Sequence, residues 1–318
     1  MEDKALVFHH APVASGERSR AERRADRLFS RVLMASGIAI ILILVAIGVF
    51  LVAQSLPAIF GDGDLPGGAS NFWEYVWPLA FGTLWSAVLA LAIATPLALS
   101  VALFISHYAP RRLASIAGSA VDLLAAVPSV VFGLWGILVL APALAPVYGW
   151  LVEHMGWFPL FAGPASATGR TILTAAIVLA IMVLPIVTAM CREVFLATPK
   201  LTEEAALALG ATKWEMIRTA VLPNARSGVI SAVLLGLARA LGETMAVAMV
   251  LSPALVVNFL LLTPANPSTI ASNIALQFPE STGLGVSALL ASGLVLFAIT
   301  LAVNLLARLL VRGNTRGA

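Results

Sequence analysis

Long apolar runs alternate with short polar segments along this chain of 318 residues. Val32–Ala53 holds no charged residue over 22 positions, and uncharged runs of similar length follow at 79–106, 171–191 and 281–307. Each run reaches the roughly 20 apolar residues that a helix needs to cross the hydrocarbon core of a bilayer. The pattern predicts an all-α, polytopic membrane protein with six spans, at 32–56, 79–106, 118–141, 171–191, 227–251 and 284–307.

Basic residues fall almost entirely on alternate connections between these spans. Seventeen of the 19 lie before span one, between spans two and three, between spans four and five, or after span six. Arg170 is the only basic residue of the other connections, and Arg239 lies within span five. Because cytoplasmic loops are enriched in Lys and Arg, both termini are predicted to be cytoplasmic. Residues 1–31 then form a basic N-terminal tail, 32–311 the transmembrane domain and 312–318 a C-terminal tail.

Composition and motifs argue against soluble and catalytic classes of protein. Hydrophobic residues make up 60% and charged residues 11%, which leaves too few polar side chains to cover a soluble domain. The sequence has no Gly-Lys dipeptide and therefore no phosphate loop for ATP. The four histidines and the single cysteine, Cys191, lack metal-ligand spacing, and no nucleophile–base constellation occurs. We expect no enzymatic activity, no bound metal or cofactor and no nucleic-acid partner.

The longest basic connection, residues 192–226, has the sequence of a short helical hairpin. Thr202 can cap a first helix, and Gly210 permits a left-handed helix end. A second helix from Lys213 is predicted to stop at Pro223. We expect this hairpin to lie parallel to the membrane or just below it.

The same segment carries a spaced motif. Its members are Glu204, Ala205, Ala206, Gly210, Leu222 and Pro223. The spacing resembles the EAA loop of ABC importer permeases, although Ala220 stands where that loop usually has isoleucine. The resemblance implies that this EAA hairpin, about 200–223, is the coupling helix that docks into a groove of a cytoplasmic ATPase, and that ATP is used by that partner. An ordinary amphipathic hairpin is the alternative.

Small residues recur at every fourth position of span five. They are Gly228, Ala232, Gly236, Ala240, Thr244 and Ala248. In membranes, such a small-residue stripe lets helix backbones approach closely. The stripe predicts close packing either within this chain or against a partner permease around the pore. We expect the second arrangement at Gly228, Ala232, Gly236 and Ala240.

Span five also contains Arg239 and Glu243, which share one face if the helix is continuous. One charge at mid-membrane costs about 2.5–3.5 kcal/mol, whereas an i,i+4 ion pair returns only about 0.2–0.5 kcal/mol. The two side chains must therefore face water or charges from another helix. Because arginine binds oxyanions bidentately, we expect Arg239 to contact the passing anion or a gate carboxylate. Glu243 would supply a counter-charge that separates during transport; a structural ion-pair network between subunits is the alternative.

Two further stretches carry a closer resemblance. Residues 239–247 and 122–136 resemble the fifth-span and third-span signatures of the PstC permeases of Pst-type phosphate importers, although Ser252-Pro253 replaces the Gly-Asn usual after the former. The resemblance implies a type I ABC importer permease fold in the bacterial inner membrane, with inorganic phosphate as cargo. It also implies three partners: a PstA-like second permease, a PstB-like ATPase dimer and an extracytoplasmic PstS-like binding protein.

Other functions suit parts of the same pattern. An ABC permease for another oxyanion, such as molybdate or sulfate, would have the same architecture. An ion- or proton-coupled secondary transporter could use Glu243 as its proton carrier, but it would need no ATPase dock and hence no EAA loop. A sensor or scaffold without transport is the third alternative.

Prolines and one short apolar segment complete the pattern. Pro128 and Pro185 interrupt spans three and four, where proline produces a kink or a hinge. Pro142 and Pro146 are turn signals in the connection after span three. The apolar segment 254–262 is too short to cross a bilayer and is predicted to be interfacial or re-entrant.

Overall fold

The computed structural model describes residues 20–61 and 65–314, and nearly all of their regular structure is helical. Residues 1–19 of the predicted N-terminal tail and 315–318 of the predicted C-terminal tail lie outside the described residues. Six described segments are long and apolar enough to cross a membrane: Leu28–Phe60, Phe72–Tyr108, Ser129–Met155, Ile172–Leu196, Lys213–Gly242 and Leu284–Leu306. The predicted all-α architecture with six spans is confirmed.

The chain divides after Leu51 into two compact units. Helix α1 (Arg20–Phe60) begins in the first unit. From Val32 to Leu51 this helix is apolar around almost its whole circumference, as expected for a helix surrounded by lipid.

The second unit contains the remaining elements. Its helices are α2 (Phe72–Leu103), α3 (Arg111–Ala125), α4 (Ser129–Trp135), α5 (Ala141–Met155), α6 (Ile172–Leu196), α7 (Lys200–Ala208), α8 (Lys213–Met216), α9 (Leu222–Gly242), α10 (Met245–Val250), α11 (Ile270–Gln277) and α12 (Leu284–Asn314). Wider π turns follow α2, α4 and α8, at Phe104–Tyr108, Gly136–Leu140 and Ile217–Val221. Two short strands, β1 (Pro253–Ala254) and β2 (Asn266–Pro267), pair in parallel.

The prediction of span three at 118–141 is wrong. Helix α3 ends at Ala125, and Pro128 is extended (φ −59°, ψ 139°) directly before α4. Proline disfavours a helical conformation in the residue before it, so the chain leaves the helix here instead of kinking within it. The membrane-length segment is Ser129–Met155, in which α4, a π turn and α5 follow without interruption.

The other three prolines singled out in the sequence lie within helices. Pro142 follows directly on the π turn Gly136–Leu140 within a continuous helical run, where the wider turn accommodates the proline ring. Pro146 lies in the interior of α5, so the prediction of a loop at these two residues is wrong. Pro185 lies inside an unbroken α6. Neighbouring helices in a membrane protein can satisfy the carbonyl that an interior proline leaves free.

The core of the second unit is built around α6, most of whose side chains are buried. Helix α2 packs along α6 through alanines at three- and four-residue spacing, all fully buried: Ala87, Ala90, Ala94, Ala98 and Ala102. Small side chains let the two backbones approach closely, which increases their dispersion contacts. Helices α3, α4, α9 and α10 also contact α6.

The small-residue stripe of α9 rests on α6. A Cβ atom on Gly236 would lie 2.7 Å from Val187 Cγ2 and 2.8 Å from Val183 Cγ1. A Cβ atom on Gly228 would lie 2.5 Å from Val194 Cγ1. These separations are shorter than real Cβ contacts, so only glycine allows α9 to lie this close to α6.

The assignment of the small-residue stripe to an interface with a partner permease is therefore wrong. Ala232 and Ala240 are buried in the same core as α6, and the two glycines of the stripe meet valines of α6. A second protein cannot reach a face that the chain itself already covers. The stripe fits the intrachain packing that its spacing equally allowed.

The apolar segment 254–262 is not helical and is held by hydrogen bonds from around the start of α6. The Ser166 amide donates to the Leu262 carbonyl at 2.8 Å, and the Leu261 amide donates to the Leu160 carbonyl at 2.9 Å. Asn266 Oδ1 accepts from the Ile172 amide at 2.9 Å. Non-helical backbone in a membrane protein needs such partners where water is scarce, and the predicted absence of a seventh span here is confirmed.

We expect Gly236→Val to destabilise the full-length chain purified without any partner. The added methyl groups would overpack the contact with α6, at a cost of about 1–3 kcal/mol. The melting temperature in detergent, followed by fluorescence-detected gel filtration, should fall by several degrees.

Gly149→Val is the matched control, because a Cβ atom at Gly149 of α5 meets no other atom within 4 Å. The contrary outcome is that both variants melt at the same temperature and only Gly236→Val fails to assemble with the partner permease. That result would show that the small-residue stripe is an interface between subunits.

Candidate functional site

Span five is interrupted beside its charged residues. Helix α9 ends at Gly242, Glu243 is extended (φ −69°, ψ 129°), and α10 begins at Met245. The prediction of one continuous helix over 227–251, with Arg239 and Glu243 on a shared face, is therefore wrong. The carboxylate of Glu243 instead accepts a hydrogen bond from the Ala246 amide in the first turn of α10, at 3.1 Å.

Neither charge is neutralised by an ion pair within the described part of the chain. Glu243 is buried, with 9% of its surface exposed. Arg239 is half-buried, and its Nε has no hydrogen-bond partner. Among the described residues, no ion pair within 4.0 Å involves either side chain. Because an uncompensated charge is costly in an apolar environment, both groups require water or charges outside this chain.

Arg239 belongs to a face of α9 that the chain leaves open. Ser227, Ser231 and Leu235 precede it at four-residue spacing, and all three are exposed. The Ser231 hydroxyl donates to the Ser227 carbonyl at 2.9 Å, so it is satisfied within the helix. This open face is next to the small-residue stripe on the surface of α9. Because it is the stripe that packs on α6, Arg239 remains available to solvent or to a partner.

The EAA hairpin has the predicted helix–turn–helix form, with a different start. Gly210 has φ +85° and ends the first helix in the predicted left-handed conformation. Thr202 does not cap α7: the helix begins after Pro199, and the Thr202 amide donates to the Pro199 carbonyl at 2.9 Å. Proline at this position already directs the chain into the helix, so the prediction of a Thr202 cap is wrong.

The second helix has a cap that sequence reasoning missed. Thr212 and Glu215 form a capping box, in which each side chain accepts a hydrogen bond from the backbone amide of the other residue. The spacing of threonine and glutamate three residues apart was the available signal. The box sets where the long helix begins.

Pro223 does not stop this helix. The π turn at Ile217–Val221 widens the backbone directly before Leu222 and Pro223, so the proline ring is accommodated. In the same turn, the Asn224 side chain donates to the Ala220 carbonyl at 2.7 Å. The helix continues from Lys213 to Gly242, 30 residues or about 45 Å. The EAA hairpin is thus joined rigidly to Arg239.

The EAA residues lie on an accessible surface. Glu204 and Ala205 are exposed, and Ala206 is half-buried. Large apolar side chains beside them are also exposed: Leu201, Leu207, Leu209 and Trp214. A cluster of exposed apolar side chains with charged neighbours is typical of a protein-binding surface.

The end of α2 contacts both helices of the EAA hairpin. His107 Nε2 lies 3.7 Å from Glu203 Oε1 of α7, and His107 Nδ1 lies 2.7 Å from the Ser106 hydroxyl. Lys213 Nζ of α8 lies 5.0 Å from the centre of the Tyr108 ring, a cation–π distance. No sequence motif marks His107; its role as a contact of the hairpin follows from the fold.

Comparison with solved structures supports the fold. The chain matches a permease in the crystal structure of a bacterial ABC transporter involved in the import of the acidic polysaccharide alginate. The TM-score is 0.62 at 15% identity, over 92% of this chain and 97% of the other. At this identity the likeness concerns the fold alone.

Sequence comparison is more specific. Residues 94–316 match the family model of binding-protein-dependent transport system inner membrane components. Phosphate transport system permease protein PstC 2 of Mycobacterium tuberculosis is 44% identical, over 94% of this chain and 95% of its own length. PstC of Mycobacterium leprae is 42% identical, over 96% and 98%. The chain therefore belongs to the binding-protein-dependent transport system inner membrane components and, among them, to the PstC permeases.

Proposed function

We propose that this chain forms one half of the transmembrane pore of an ATP-driven importer of inorganic phosphate in the bacterial inner membrane. Its PstC relatives are named phosphate transport permeases, which favours phosphate over molybdate or sulfate. The observation that carries the mechanism is the unbroken helix that joins the EAA hairpin to the unpaired Arg239.

The importer needs partner proteins to complete the pore, to hydrolyse ATP and to deliver phosphate. A PstA-like permease would complete the pore, and a PstB-like ATPase dimer would bind and hydrolyse ATP, because the sequence has no phosphate loop. A PstS-like protein would deliver phosphate from outside. The positive-inside count supports cytoplasmic termini and places the EAA hairpin on the ATPase side.

Arg239 is the group best suited to the anion. Its planar guanidinium donates two parallel hydrogen bonds to an oxyanion and stays charged at every physiological pH. Its open face on α9 gives phosphate or a partner carboxylate access to it. Glu243, fixed at the start of α10 by the Ala246 amide, supplies negative charge that favours release of the anion.

ATP binding would act on this site through the EAA hairpin. The exposed apolar side chains of the hairpin provide a surface for the ATPase. A displacement of the hairpin would move α9 as one body, because the helix continues through the π turn without a break. The contacts of His107 and Lys213 would move the end of α2 with it, so the two helices packed on α6 would respond together.

We expect the chain, reconstituted in liposomes with the second permease, the ATPase and the binding protein, to support ATP-dependent uptake of radiolabelled phosphate. Uptake of sulfate and molybdate, each delivered by its own binding protein, should remain at background. Omitting the ATPase should abolish phosphate uptake. Phosphate transport by the chain alone under a proton gradient would instead identify a secondary transporter.

In the same system, Arg239→Ala should lower phosphate uptake roughly ten- to a hundredfold, since a hydrogen bond to a charged group contributes about 1.5–3 kcal/mol. Arg239→Lys should fall between Ala and the wild type, because lysine keeps the charge but loses the planar fork. Initial uptake rates at saturating ATP provide the measurement.

Glu243→Gln tests the charge separately, because the Gln side-chain oxygen can still accept from the Ala246 amide. We expect uptake to fall while assembly is preserved. Ser231→Ala is the control, because it alters the open face of α9 that carries Arg239 without removing a charge. Normal transport by both Arg239→Ala and Glu243→Gln would exclude the proposed roles.

His107→Ala should uncouple the two activities. The ATPase can still dock, so ATP hydrolysis should continue, but phosphate moved per ATP should fall several-fold because α2 no longer follows the hairpin. Parallel assays of released phosphate and imported radiolabelled phosphate give the ratio.

Glu203→Gln should reproduce the effect of His107→Ala, since it weakens the same contact from the other side. Glu193→Gln is the matched control, because that carboxylate pairs with Arg192 at the end of α6. An unchanged ratio in both hairpin variants would mean that α2 takes no part in coupling.

A further inference from the structure

Arg170 is the only basic residue in the connections predicted to lie outside the membrane. The same connections carry five carboxylates in the sequence: Asp62, Asp64, Glu74, Glu153 and Glu280. An arriving anion would be repelled by these groups and attracted by one guanidinium. Arg170 is thus the one outer group of this chain that can select an anion by charge.

The guanidinium of Arg170 is held in place but not neutralised. Its Nη2 donates to the Leu251 carbonyl at 2.7 Å, and its Nε has no hydrogen-bond partner. Within the described part of the chain, no carboxylate lies within 4.0 Å of it. Because Nε is buried, the donors left for a ligand are the N–H groups of the two Nη atoms that do not contact Leu251.

Arg170 lines an open groove of about 690 Å³. Its other walls are apolar, from Ile137, Pro142, Ala145 and Pro146, apart from the hydroxyl of Thr168. A guanidinium against lipid would be costly, so this groove must face water or a polar ligand. The groove has room for a small tetrahedral oxyanion, and the guanidinium of Arg170 and the hydroxyl of Thr168 are its groups that could bind one.

The start of α6, which lies beside Arg170, contributes no free donors. The Ile172 amide donates to Asn266 Oδ1, the Leu173 amide to the Leu261 carbonyl, and the Thr174 amide to the Thr171 hydroxyl. Binding of an anion would therefore depend on the guanidinium and on the Thr168 hydroxyl.

Helix α10 connects Arg170 to the charged part of span five. Its Nη2 contacts Leu251, the residue that follows α10, while Glu243 accepts a hydrogen bond at the start of that helix. The two contacts, at Ala246 and Leu251, are therefore five residues apart, or about 7.5 Å along the helix. An anion bound at Arg170 would lie at the outer end of the element whose inner end carries Glu243.

We propose that Arg170 and Thr168 form an outer oxyanion-binding site, at which phosphate released by the binding protein first contacts this chain. The inference rests on phosphate import as proposed above. It assigns two arginines to successive steps: Arg170 receives the anion at the outer mouth, and Arg239 contacts it within the membrane.

Arg170→Gln removes the positive charge but keeps a polar side chain with an N–H donor, at the level of the arginine Nε. In the reconstituted four-protein importer, we expect uptake of radiolabelled phosphate to fall about tenfold, as for the loss of a hydrogen bond to a charged group. The melting temperature of the complex and its affinity for the phosphate-loaded binding protein should not change. Thr168→Val should give a smaller loss.

Arg170→Cys adds a chemical rescue, since Cys191 is fully buried and should not react. Treatment of a complex without other accessible cysteines with a methanethiosulfonate that adds an ethylammonium group should restore uptake. The neutral methyl reagent should not restore it. On a folded complex, recovery with the ethylammonium reagent alone would show that uptake depends on the positive charge at this position.

Wild-type uptake by Arg170→Gln, or equal rescue by the neutral reagent, would overturn the site. A weaker affinity for the binding protein in Arg170→Gln would make Arg170 a docking contact and would also overturn it. Failure of the wild-type complex to import phosphate would instead refute the proposed function.

Discussion

The close packing of α9 on α6 is the constraint on which the rest of the structure depends. Glycines at 228 and 236 bring the two backbones so near that α6 covers one face of α9 completely. The neighbouring face is left without intrachain partners, and Arg239 lies on it. The helix that bears Arg239, the charge proposed to contact the anion, is therefore oriented by residues that carry no functional group.

Irregular residues within the helices determine which segments can move together and where the charged side chains lie. The π turn before Pro223 keeps the EAA hairpin and α9 in one continuous helix. The extended residue Glu243 does the opposite, since it separates α9 from α10 and turns its carboxylate towards the new helix. Mechanical continuity thus ends where the buried charges are found, which suits a site that must change its contacts during each transport cycle.

Three charged side chains lie one after another along the proposed route of the anion. Arg170 lies beyond the outer end of α10, Glu243 at its start and Arg239 within α9. None of the three forms an ion pair within 4.0 Å in the described part of the chain. In the proposed importer, unpaired charges would bind a passing anion without first breaking an internal salt bridge, and a partner permease would supply the compensating charge when no anion is bound.

The sequence alone determined the class of protein, the number of spans and the EAA motif, because hydropathy, charge asymmetry and the left-handed glycine at Gly210 are local properties. It could not tell that Pro128 breaks a helix while Pro146 and Pro185 do not, since that depends on which neighbours satisfy the freed backbone groups. Nor could it decide whether the small-residue stripe meets α6 or another subunit, or that Glu243 leaves the face of Arg239. Those outcomes were decided by the tertiary structure, because helical periodicity places residues on a face but does not specify what packs against it.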